Sequence, residues 1–163
     1  MTTLYVDNIA PNLNSKISAP NLTLPPGSVL QVQTGTTNSG LSTTSASGVA
    51  TGVKVTITPS ATNSKIFVTC SGTLQNGTGG GGTNLSINRT IGAGSQSAVY
   101  FHGSAGLMQY DAGNNNIGAG VLTFLDSPNT TSAVEYEIYY SRYYTGTSYF
   151  LANGRIVAME IAG

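Results

Sequence analysis

The sequence predicts an all-β chain, and three observations carry that prediction. Apolar residues alternate with polar ones in short runs, the period of a strand with one buried face. Clusters of Gly, Pro, Asn, Ser and Thr separate these runs, and 21 of the 163 residues are glycine. No long stretch repeats its apolar positions at helical spacing, so amphipathic helix is not expected.

The elements follow in order. Residues 1–26 are expected to form an extended arm or attachment segment, with 27–163 as the main domain. "TLYVDNI" offers one short strand, and Leu4, Tyr5, Val6, Ile9, Leu13 and Ile17 are the arm's apolar contacts. Pro11, Pro20, Pro25 and Pro26 keep the path extended and give it little capacity for a core of its own. "GSVLQVQT" opens the domain as a strand, with Val29 and Gln31 on one face and Leu30 and Val32 on the other. The polar stretch 35–52 reads as a long loop or an edge strand of weak register.

"VKVTITPS" places Val53, Val55 and Ile57 on one face and ends at Pro59. The turn "SATN" then has hairpin spacing before "SKIFVTCSGTL". Cys70 lies in that run and reads as a buried thiol. "NGTGGGGT" is a loop tip, and "NLSINRT" turns Leu85 and Ile87 inward. "SAVYFHGSAG", "AGVLTFLDS", "SAVEYEIYYSRYY" and "RIVAMEIAG" complete the strands. The total of roughly eight to ten suits two packed sheets, a jelly-roll-type antiparallel β-sandwich.

Period two also sorts "EYEIYYSRYYTG", which holds five of the nine tyrosines. Tyr136, Ile138 and Tyr140 share the face assigned to the core, with Val55, Ile57 and Phe67. Tyr139, Tyr143 and Tyr144 are left for subunit contact, together with Met159 and Glu160. Arg142 marks where the alternation is expected to break. Glu160 stands inside an apolar run, so burial there would require a donor such as Arg155, Arg142 or backbone N–H groups.

Composition excludes several function classes. Charged residues make up 7% of the chain and the net charge is zero, against about 25% charged residues in an average soluble protein. There is no basic patch for nucleic acid and no polybasic or long apolar segment for a membrane. The N-terminus lacks the pattern of a secretion signal. One histidine (His102), one cysteine and no calcium-loop spacing leave no metal or cofactor expected. The glycine-rich stretches do not open a helix, so they make no phosphate cradle. Asn-x-Ser/Thr tripeptides at Asn21, Asn76, Asn84, Asn88 and Asn129 read as turns, and Asp126 as the start of a shaped turn. A surface this poor in charge suits burial in an assembly.

Five stretches carry a resemblance. "FLDSPNTTSAVEYEIYY" resembles the penultimate hairpin of a jelly-roll domain of bacteriophage virion proteins, notably tail-fibre and fibre-tip knobs, and "RIVAMEIAG" resembles its terminal strand. "TITPSATNSKIFVTCSGTL", "LPPGSVLQVQ" and "TLYVDNIAP" are similar to its early hairpin, its entry and the start of proteins that carry it. Such domains are similar to tumour-necrosis-factor and complement heads. The resemblance implies a homotrimer without enzymatic activity, located in the virion. With a short arm in place of a fibre shaft, the expected role is capsid decoration, cement or head fibre, partnered by the major capsid protein or another virion protein. The alternative is a tail-fibre or fibre-tip subunit that recognises a host surface glycan.

Overall fold

The structure, a computed structural model, describes residues 24–37, 39–77, 81–101, 108–109 and 117–163. The arm residues Leu4 to Ile17 and His102 lie outside these, as does all but the end of the segment 1–26. The described residues form eleven strands: β1 (Val29–Thr37), β2 (Leu41–Thr43), β3 (Val49–Ile57), β4 (Lys65–Asn76), β5 (Gly82–Ile91), β6 (Ser97–Phe101), β7 (Met108–Gln109), β8 (Ile117–Asp126), β9 (Val134–Tyr143), β10 (Ser148–Phe150) and β11 (Gly154–Ile161). The all-β expectation holds. The count exceeds eight to ten because β2, β7 and β10 are two or three residues long.

Two antiparallel sheets face each other as a β-sandwich. In the first sheet β4 is central. β8 pairs along one side of it, while β11 and β10 share the other, with β1 beyond β11 and β2 beyond β10. The second sheet runs β3-β9-β5-β6, with β7 also on β5. Between them lies one core of alternate residues, including Val53, Val55 and Ile57 of β3, Ile66 and Val68 of β4, Leu85 and Ile87 of β5, and Tyr136, Ile138 and Tyr140 of β9. Rings bridge the sheets: Tyr100 stacks on Phe124 at 5.5 Å between centroids, and Phe124 meets Tyr136 edge-on at 6.2 Å.

Two expected hairpins are not hairpins. β3 pairs with β9 in the second sheet, while β4 lies in the first, so residues 58–64 carry the chain across the sandwich. β8 and β9 likewise lie in different sheets, linked through 127–133 with Asn129 at φ 52°. Alternation requires only that each strand bury one face. Two strands that face one core across the sandwich satisfy that as well as two lying side by side.

The polar stretch 35–52 is more ordered than a loop. β1 runs to Thr37, β2 adds a short edge strand, and β3 starts at Val49. Gly52, at φ 75°, sits where the β3–β9 register shifts between Ala50 and Lys54. A β-carbon there would be strained, so glycine suits the bulge. Asn76, Asn84 and Asn88 also differ from expectation, since Asn76 ends β4 and the other two lie within β5 rather than in turns.

Candidate functional site

The outward face of the first sheet carries an apolar row. Register aligns Val32 with Met159, Met159 with Phe67, and Phe67 with Leu125, one residue from each of β1, β11, β4 and β8. Neighbouring strands lie about 4.8 Å apart, so the row spans about 14 Å. Val32 is 49% exposed and Leu125 53%, while Phe67 and Met159 are half-buried by their neighbours. Val121 and Ile117 extend the exposed apolar surface along β8. The next row is Thr34, Val157, Thr69 and Thr123, polar but uncharged except for its valine. Phe67 was expected in the core. It points outward because Ile66 and Val68 take the inward parity of β4.

The outward face of the second sheet carries a polar cleft of about 250 Å³. Asn84, Ser86 and Asn88 of β5 line it beside Tyr139 and Ser141 of β9, with Ala46 and Gly48 from the turn before β3. The amide of Arg142 donates to the carbonyl of Ser45 at 2.8 Å and ties that turn to β9. The Tyr139 hydroxyl donates to Gln96 Oε1, and Gln96 Nε2 reaches Glu137 at 3.3 Å. Burial, and next the charge of Glu137, raise the Tyr139 pKa.

Two carboxylates are held inside the sandwich. Glu160 is fully buried and accepts from Ser60 N (2.6 Å), Ser60 Oγ (2.6 Å), Ser64 Oγ (2.7 Å) and Gln31 Nε2 (2.6 Å). Burial opposes its ionisation, but these four bonds outweigh it and lower its pKa. A backbone donor was among the expected partners. The other donors are serine and glutamine of the same chain in place of arginine. Asp126 accepts from Arg89 Nη1 at 2.8 Å, Tyr136 Oη at 2.6 Å and Ser127 N at 2.9 Å. Burial, then this carboxylate, raise the Tyr136 pKa. Asp126 thus shapes its turn and also joins β8 to β5 and β9 of the opposite sheet.

The residues expected at a subunit contact do not form one patch. Met159 lies in the outward row of the first sheet, whereas Tyr139 lines the cleft on the opposite face. Tyr144 is 77% exposed at φ 74°, its ring 6.3 Å from that of half-buried Tyr143 at the end of β9. Glu160 points into the chain. The alternation of faces in β9 does not break at Arg142, since its register with β5 runs unbroken to Tyr143; Ser141 is buried because it lines the cleft under the turn before β3. Cys70 is a buried free thiol whose pKa burial pushes up to about 11. Among the described residues, no group of three His, Cys, Asp or Glu side chains could hold a metal ion.

The cleft was not expected, although "NLSIN" carries its signal: polar residues at every second position of a strand. What covers them comes from about forty residues earlier in the chain.

These features define an all-β sandwich of two antiparallel sheets with an apolar outer face on one side and a polar cleft on the other. No protein-family model and no curated protein matches the chain. Among solved structures it is similar to VP2 in the infectious bursal disease virus subviral particle, at 15% identity and a TM-score of 0.46 over 93% of this chain and 38% of that one. It is also similar to a chain of the T13 particle of that virus, at 14% identity and a TM-score of 0.49, covering 93% of this chain and 36% of that one. The chain spans well under half the length of these proteins.

Proposed function

We propose that this chain is a non-enzymatic structural protein of a bacteriophage virion, a jelly-roll-type sandwich that assembles as a homotrimer and decorates or cements the capsid. The observation that carries the reading is the apolar row Val32–Met159–Phe67–Leu125, turned to solvent in a chain with 7% charged residues. Such a row on a poorly charged face suits burial by another protein surface. The turn motif "DSPNTTSA" and the terminal "RIVAMEIAG" add the resemblance to virion knobs.

Cement action is binding rather than chemistry. A symmetric trimer offers each neighbouring shell subunit the same contact, and simultaneous contacts multiply affinity through effective concentration. In this reading the arm, with Leu4, Tyr5, Val6, Ile9, Leu13 and Ile17, lies along the shell and leaves the sandwich free to form the trimer. Deleting residues 2–24 is expected to abolish attachment to particles while leaving a soluble trimer; full binding by the truncated protein would remove the arm from the proposal. Gel stoichiometry of purified virions, with a particle reconstruction, tests the role itself. Many copies on the head support decoration. A few copies at the tail support the second reading, a fibre-tip receptor-binding subunit, which the polar cleft favours.

A further inference from the structure

The cleft on the second sheet holds a polar atom without a partner among the described residues. Asn84 is 7% exposed, and its Oδ1 accepts no hydrogen bond. A buried acceptor without a donor is costly and uncommon, so an occupant that brings a donor relieves a standing penalty. Around it stand the hydroxyls of Ser86 and Ser141 and the amide of Asn88, groups that can both donate and accept. The Tyr139 ring, Ala46 and Ala98 add apolar surface beside them. Among the described residues, none of the lining side chains is charged. At about 250 Å³ the cleft falls below the roughly 300–1,000 Å³ of sites for drug-sized ligands, which sets the size of one small ring.

We infer that this cleft binds a single neutral pyranose residue, with a sugar hydroxyl donating to Asn84 Oδ1 and the less polar face of the ring against the apolar part of the lining. A neutral sugar ring combines hydroxyl donors, acceptors and a C–H face in that volume, and it needs no counter-charge. Tyr139 is held for this contact through its hydroxyl bond to Gln96. The cleft opens on the face opposite the apolar row, so association through the first sheet leaves it accessible. The inference deepens the fibre-tip reading of the cleft, but its outcome is read from sugar binding and so fails or holds independently of copy number.

The test is protein-detected NMR of the full chain titrated with free glucose, galactose, mannose and N-acetylglucosamine, beside an array presenting the same sugars as glycan termini. Saturable shifts at Asn84, Ser86 and Tyr139 with a free sugar support binding and assign it to soluble monosaccharide. An array signal without such shifts supports it and assigns the ring to a longer surface glycan. Asn84→Leu is expected to weaken either signal by about tenfold. Ser141→Ala serves as the second variant if Asn84→Leu does not fold. The proposal is overturned if neither arm responds, leaving the cleft to water, if the shifts fall elsewhere, or if folded variants bind as tightly as the parent.

Discussion

Glu160 receives four hydrogen bonds from Ser60, Ser64 and Gln31, and this ties β11 to β1 and to the 58–64 crossing. Its lowered pKa makes this an acid-sensitive joint. A carboxylate whose folded pKa lies below its ordinary 4.5 contributes stability fully above that value, and the contribution is lost as pH falls through the lower folded value. Glu160→Gln leaves donors facing an amide, and chemical denaturation at neutral pH is expected to register a loss of about 2–4 kcal/mol. The same variant should flatten the acid limb of the stability curve. If its pH dependence matches the parent's, Glu160 is not the titrating group. Tyr136→Phe removes one donor from Asp126 but leaves Arg89 bound there, so a smaller loss of about 1–2 kcal/mol is expected in the same assay. By contrast, the exposed pair of Lys54 and Glu135, 3.1 Å apart, is not where stability resides.

At the scale of elements, β10 fits because its neighbours omit side chains. A β-carbon on Gly72 would lie 2.5 Å from the Phe150 ring, and one on Gly154 would lie 2.6 Å from it. Phe150 is fully buried and packs on Tyr140 at 6.0 Å between centroids, so it cannot retreat without opening the core. Gly72→Ala is expected to cost about 1–3 kcal/mol through overpacking, read as a lowered Tm with unchanged far-ultraviolet circular dichroism. A Tm equal to the parent's would mean that the ring has room to move. The crossings 58–64 and 127–133 do comparable work on a larger scale. Each takes the chain from one sheet to the other, and each begins or ends beside a hydrogen-bonded carboxylate, the buried Glu160 or the half-buried Asp126.

For the whole molecule, the two outer faces divide the proposed roles, one for self-association and one for a small neutral ligand. Leu125→Lys places a charge at one end of the apolar row, at a site already 53% exposed. If the proposed trimer forms through this row, sedimentation is expected to shift from trimer towards monomer while the thermal transition stays close to the parent's, because the folded monomer tolerates lysine there. An unchanged trimer would move the subunit contact away from the first sheet. Tyr143 and Tyr144, paired at the end of β9, would then be the next surface to substitute.

Much of the fold was legible in the sequence because a strand's face is a local property. Period two alone put Val55, Ile57, Leu85, Ile87, Tyr136, Ile138 and Tyr140 inward, and all are buried. Met159 and Glu160, expected together at the subunit contact, lie on opposite faces of β11, Glu160 inward. Phe67 lies outside the core because Ile66, Val68 and Cys70 take the inward parity of β4. The sheet each strand enters was not legible, since strands across a core and strands side by side carry the same alternation. Nor were the surroundings of the polar groups. Ser60 lies one hundred positions from Glu160, and Asn84 is covered by a turn from another part of the chain. The sequence determined the all-β class and the inward face of most strands, through spacing along a single strand. Tertiary structure decided the strand order, the donors of Glu160, the apolar row and the unpartnered Asn84, because each depends on which distant segments the packing of two sheets brings together.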